Sequence, residues 1–409
     1  ELKPAEENPW YVLATIHKDI IPVEGTAEFQ SGLNAFSSRE VWNSWAISKL
    51  NDKQKKFIRE KKPDIFDESP PWDSIKKDVQ KRLQQRGIES IPPLELAMDM
   101  SSLKFVDDAH FANFIFPVKV YFCESQFERS SGFKGAFFFG HADFGDVIFF
   151  DQAIFQESNF ADCSFTRTVF AQESFFVDTS FIGVNFIGAQ FKGNSFYVRS
   201  KFQDYSFFDG CQFKKPCNFR QAKFEKSYPI FEGVTFHEKS TVTAKKEFWP
   251  NHKKCEQDPE PSKDSCANLR HLMNIQGMPE KAHFFFRREM HFASKIGSIW
   301  QRLPFLLFGW LSDYGHSLKR PLRALALLWA LPMVIFWVNV CTGKCANTIG
   351  AELWVSLIKM AGLSIANIFQ ITGVQRVYWS DFIECLPWGL KFLGGAQTLL
   401  AIPLLFLLL

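Results

Sequence analysis

Residues 150–170 read Phe150-Asp-Gln-Ala-Ile-Phe155-Gln-Glu-Ser-Asn-Phe160-Ala-Asp-Cys-Ser-Phe165-Thr-Arg-Thr-Val-Phe170, and the same five-residue step returns at Phe181, Phe186, Phe191 and Phe196. Five residues on an α-helix turn through about 500°, so no single face collects the rings. On one straight strand an odd step sends alternate rings to opposite faces. The pattern becomes consistent if the chain turns a corner in every repeat, so that each short side of a coil points its ring inward. These nine phenylalanines are therefore the expected core of a β-solenoid. Two positions before such rings sits a smaller residue, as at Ala153, Ser158, Cys163, Thr168, Ala189, Ser200, Cys211, Cys217 and Ala222. One large and one small residue per side would fill the interior together.

Ala142-Asp-Phe144 and Cys217-Asn-Phe219 read as a small residue, then Asp or Asn, then an aromatic. In this the stretch from Phe105 to Phe236 resembles the pentapeptide-repeat family. The resemblance implies a mainly β fold, a right-handed quadrilateral β-helix with four repeats per coil. Six or seven coils would make a rod roughly 30 Å long at about 4.8 Å per stacked strand. Phe stands where the family mostly carries Leu, so the interior should be stacked aromatic rings with no ligand channel. Steps of six, from Phe105 to Phe111, Phe116 to Phe122, Phe127 to Phe133 and Phe207 through Phe213 to Phe219, require an extra residue absorbed at a corner.

The composition agrees with this reading. Of 409 residues 47 are Phe and only 7 Tyr, a bias that needs a structural cause. Lys and Arg number 47 against 44 Asp and Glu, a net charge of +3 that marks no nucleic-acid binder. Soluble pentapeptide-repeat proteins that imitate DNA need a continuous acidic face. Here seven acidic residues between Asp143 and Asp178 give way to eight basic ones between Lys192 and Lys226. The bands read either as an acidic protein-docking surface with a basic surface near anionic lipid, or as ordinary solvated faces. Nine cysteines, an odd and scattered number, point to a mostly reducing compartment.

Residues 1–102 lack the period and read as an α-helical N-terminal cap, with helices at Ser37–Leu50 and Asp73–Arg86, the first opened by the capping-box spacing of Ser37 and Glu40. Asn8-Pro-Trp-Tyr-Val-Leu-Ala-Thr15 resembles the opening of membrane-attached pentapeptide-repeat proteins of proteobacteria. After the repeat at 103–243, residues 244–320 read as a linker with membrane-proximal amphipathic helices. The segment His283–Met290 is expected at a membrane surface, and Leu311–Gly315 with Lys319-Arg320-Pro321 again resembles that family. His252, Cys255, Cys266 and His271 are weak candidates for a zinc site, their spacing being none of the strong ones. No metal or other cofactor is otherwise expected.

Residues 321–409 form the expected α-helical transmembrane domain, with spans at about 322–341 and 387–409. Basic residues crowd before the first span, which places the repeat domain in the cytoplasm, and the family resemblance implies a bacterial inner membrane. Between the spans, 350–371 is too polar for a lipid-facing span and reads as a re-entrant or interfacial helix. Its Ser364, Asn367, Gln370, Thr372 and Gly373 are candidate pore-lining residues if several copies surround an axis, and helix contacts if they do not. Cys341 and Cys345 are a candidate disulfide. The chain opens on Glu1 and closes on Leu-Leu-Phe-Leu-Leu-Leu, so further residues are expected at both ends. No enzymatic constellation stands out. The expected function is a non-catalytic membrane scaffold or docking protein, in contact with membrane lipids and homo-oligomeric or part of a larger membrane complex. The alternative is an oligomeric ion channel-like pore with the rod as vestibule or sensor.

Overall fold

Most sides of the repeat form strands only two residues long, such as Ala153–Ile154, Val169–Phe170 and Gln190–Phe191. Each pairs in parallel with the side one turn away. Gln126, Ile148, Val169, Gln190 and Gln212 are successive partners, so the chain returns above itself after 21 or 22 residues. Stacking yields two seven-stranded sheets and a third of ten strands, a parallel β-solenoid of about seven turns. The computed structural model describes residues 2–16, 36–91, 93, 97–251, 257–342, 353–369 and 378–408. These fall into two units, Glu1–Phe292 and Ala293–Leu409.

The solenoid interior holds four columns of rings. Phe127, Phe149, Phe170 and Phe191 lie nearly parallel with centroids 4.9–5.2 Å apart, close to the spacing of stacked strands. Opposite columns meet edge to face across the coil, as Phe155 meets Phe165 at 5.3 Å and 81°. Phe155, Phe160, Phe165, Phe170, Phe181, Phe186 and Phe191 are buried as expected, and so are the nine small residues that precede the rings. Three positions require correction. Phe150 is 46% exposed and Phe149 takes its place, Phe196 is half-buried and Tyr197 occupies the column, and Phe207 is half-buried while Phe208 occupies the column, so that the step to Phe213 is five.

The cause is a corner geometry that alternates. Asp146, Arg167, Gly188 and Gly210 share one column of left-handed residues, and Glu157, Asp178, Arg199 and Gln221 share another. Across these corners the ring-to-ring step is five, as from Phe165 to Phe170 around Arg167. The extra residue of a coil falls on the other kind of corner, giving steps of six from Phe149 to Phe155, Phe170 to Phe176 and Phe191 to Tyr197. The small residue just after a left-handed corner also closes the coil. Ser158, Thr168, Thr179 and Ser200 donate to the carbonyls of Phe133, Phe144, Phe155 and Phe176 at 2.5–2.7 Å.

Among the described residues five α-helices precede the solenoid: α1 (Pro9–Ala14), α2 (Ser38–Lys49), α3 (Asp52–Lys61), α4 (Asp64–Glu68) and α5 (Trp72–Gln85). The Ser37–Glu40 capping box forms. On α2 the Asn43 amide donates to the carbonyl of Asn113 at 2.9 Å and accepts from the N–H of Ile115 at 3.0 Å. Trp42 Nε1 donates to the Ile115 carbonyl at 2.7 Å. These side chains meet backbone groups that a further strand would otherwise pair.

Helices α6 (Pro259–Ile275) and α7 (Pro279–Ala293) do the same at the last turn. Ser265 Oγ accepts from the N–H of Phe231 at 3.0 Å, and Asn268 donates to the Phe231 carbonyl at 2.8 Å. Trp249 stacks on Phe224, and Phe285 of α7 meets Trp249 edge-on. The segment His283–Met290 is thus not an open membrane-surface helix. Phe285 is fully buried, and Arg288 Nε donates to Tyr228 Oη at 3.0 Å.

The second unit contains α8 (Ile299–Ser312), α9 (Lys319–Thr342), α10 (Leu353–Phe369), α11 (Ser380–Cys385) and α12 (Trp388–Phe406). Helices α9 and α12 are long and apolar enough to cross a membrane. Two apolar clusters join them to α10, one around Phe336, Met360 and Leu363 and one around Leu325, Ile368 and Leu404.

Candidate functional site

Two polar residues of α10, Ser364 and Asn367, are drawn into one buried cluster. Ser364 Oγ donates to the Trp329 carbonyl on α9 at 2.7 Å. Gln397 on α12 donates from Nε2 to Ser364 Oγ at 2.6 Å, within reach of the carbonyls of Ser364 and Leu328 at 3.1 and 3.0 Å. Its Oε1 accepts from Asn367 Nδ2 at 3.0 Å. Ser364, Asn367 and Gln397 are all buried, so three helices are tied by side chains that satisfy one another. Gln397 escapes sequence reasoning, although it interrupts the apolar run from Pro387 onward. Gln370, Thr372 and Gly373 lie outside the described residues.

The candidate metal ligands divide similarly. His252 and Cys255 lie outside the described residues. Cys266 is buried and His271 exposed on the same helix, and among the described residues no three His, Cys, Asp or Glu side chains form a group suited to a metal. The expected Cys341–Cys345 disulfide is corrected, because Cys341 is a free, exposed thiol in the last turn of α9. Cys385 is disulfide-bonded, and Cys345 lies outside the described residues.

On the solenoid exterior the acidic band is largely partnered. Arg167 pairs with Asp146, Arg199 with Asp178, and Glu157 with Lys62 and Lys134. Asp162 pairs with His141 Nδ1 at 2.7 Å and accepts from Tyr205 Oη. The Tyr205 ring lies across the coil at Gly183, where a Cβ would clash with it at 2.4 Å. Burial, then the hydrogen bond and charge of Asp162, push the Tyr205 hydroxyl well up from its usual pKa. The basic band is different. Lys192, Lys214 and Lys215 are exposed and form no ion pair among the described residues.

Inside the rod, burial holds the Cys163 thiol well above the ordinary range and pushes Cys217 up to about 12. These thiols are packing groups and not nucleophiles at neutral pH. No protein-family model, no curated protein and no solved structure matches the chain.

Proposed function

We propose that the chain is a non-catalytic, membrane-anchored scaffold of the pentapeptide-repeat kind. In this reading the solenoid is a right-handed quadrilateral β-helix, capped at its first turn by the N-terminal helices and held in the cytoplasm of a bacterium by an inner-membrane domain. Its rigid exterior, with an exposed basic band, is the docking surface. The observation that carries the reading is the Ser364–Gln397–Asn367 cluster. A pore would need the polar groups of α10 facing a water-filled axis. Here two of them are instead occupied as helix contacts, the arrangement of an anchor. The resemblance of Asn8–Thr15, and of Leu311–Gly315 with Lys319-Arg320-Pro321, to membrane-attached members of the family supports the same assignment.

The native mass of the full chain in lipid nanodiscs, with co-purifying proteins identified, tests it. A monomer, or one copy joined to a larger membrane complex, is the expected result. A closed ring of four or five copies that carries ion flux would overturn the scaffold in favour of the pore with the rod as its vestibule.

A further inference from the structure

Helix α8 carries its apolar residues on the outside. Ile299, Trp300, Leu303, Leu306, Leu307 and Trp310 are all exposed, the two tryptophans at 82% and 74%. Positions 299, 303, 306 and 310 follow the three-to-four spacing of one helical face, and that face holds no charge. The opposite side is the sheltered one, where Phe308 meets Tyr314 and Ser312 is buried. In water this polarity would be inverted. At 14 residues the helix is about 21 Å long, too short to cross a hydrocarbon core of roughly 30 Å.

The elbow after α8 fixes it to the start of α9. Asp313 and Tyr314 take left-handed conformations, the Ser317 N–H donates to the Ser312 carbonyl at 2.9 Å, and Arg320 donates to the Gly309 carbonyl at 2.9 Å. Gly309 is required there, because a Cβ would lie 2.7 Å from the Tyr314 ring. The open face of α8 therefore cannot swing away from the first turn of α9. That turn presents exposed Lys319, Arg320 and Arg323, suited to anionic headgroups. Tryptophans near both ends of the face belong at the same depth, where an amphipathic ring is half wet.

We infer that α8 lies flat in the bilayer interface, with the face of Ile299, Leu303, Leu306 and Trp310 sunk among the upper acyl chains. The lipid surface is its partner, and the helix sets the depth at which α9 enters. This rests on the membrane-anchored reading and goes beyond it by assigning a membrane contact to a helix that cannot span.

The test is site-directed spin labelling of the full chain in nanodiscs containing anionic lipid, in a Cys123→Ser, Cys255→Ser, Cys341→Ser, Cys345→Ser, Cys385→Ser background. Nitroxides are placed singly at Leu303→Cys, Leu306→Cys and Trp310→Cys, with Leu331→Cys in α9 and Leu399→Cys in α12 as references. The α8 labels should favour oxygen over a water-soluble nickel chelate and report depths about 5–10 Å below the headgroups. Labels open to the chelate would overturn the inference. So would labels closed to both reagents, whether dipolar broadening then reveals a second copy or its absence leaves another protein as the cover. The references separate the two ideas: if they read as hydrocarbon while α8 does not, only this inference falls, and if they too read as water, the membrane anchor falls with it.

Discussion

Asp146 and Arg167 occupy the same left-handed corner on consecutive coils and join through two parallel hydrogen bonds, Nε to Oδ1 at 2.7 Å and Nη2 to Oδ2 at 2.5 Å. Asp178 and Arg199 repeat the arrangement on the other column of corners. A strained backbone position is thus used twice per coil, and an ion pair spans the strand-to-strand distance above it. The strain remains, because a β-carbon in this conformation is crowded whatever its side chain does.

The corner at Gln221 tests that cost without the ion pair, since its backbone N–H is held by Thr243 Oγ1 at 2.8 Å. Gln221→Gly should stabilise the solenoid by about 0.5–1 kcal/mol, the backbone strain relieved outweighing the freedom gained by the unfolded chain. Urea unfolding followed through the β-sheet circular dichroism would report it. A loss of stability would mean that the corner is not strained.

The adjacent pair Phe149 and Phe150 separates inside from outside. Phe149→Ala should cost about 3–5 kcal/mol, and Phe150→Ala less than about 1 kcal/mol. Equal effects in the same unfolding measurement would contradict the ring columns.

Tyr197 stacks between Phe176 and Phe219 with its hydroxyl buried and without a hydrogen-bond partner among the described residues. Removing that oxygen in Tyr197→Phe should raise stability by roughly 1 kcal/mol, since a buried unpaired hydroxyl carries its full desolvation penalty. A lowered melting temperature would instead point to a bond that the hydroxyl makes.

Cys163, Cys211 and Cys217 predict lability in alkali. Thiols of the unfolded chain ionise near pH 8.5, whereas burial raises all three in the folded state, Cys217 to about 12. The folded chain therefore keeps protons that the unfolded chain releases. Stability is complete below about pH 8.5 and falls as pH rises, by about 1.4 kcal/mol per pH unit for each thiol. Denaturant midpoints between about pH 8 and 11 should decline, and the decline should flatten in the Cys163→Ala, Cys211→Ala, Cys217→Ala variant.

The five-residue period was enough to read a solenoid and its parallel stacking, because no other regular backbone gathers rings at that step. It was not enough to place every ring. A coil of 21 residues contains three steps of five and one of six, so its register must slip once, and at Phe149-Phe150 the sequence offers two identical residues for one place. At Phe196-Tyr197 the eye follows the more familiar ring and the chain buries the other. The membrane-proximal segment misleads for a related reason. Both α7 and α8 have apolar stripes, but only tertiary packing decides that Phe285 is covered while Trp300 and Trp310 are not. Gln397 was hidden by its surroundings, since one amide in an apolar run reads as tolerated polarity until Ser364 and Asn367 are seen around it.

Asn43 at one end of the rod and Ser265 with Asn268 at the other each engage only the coil beside them. Neither end depends on how many coils lie between, and every interior coil meets neighbours of its own kind. The rod's length is therefore a free variable that gene duplication or deletion can reset in units of 21 or 22 residues, each shifting the helices at its two ends by about one strand spacing of 4.8 Å. Such a part works as a ruler, whose graduation is fixed by the backbone and whose reading is fixed by the number of coils inherited.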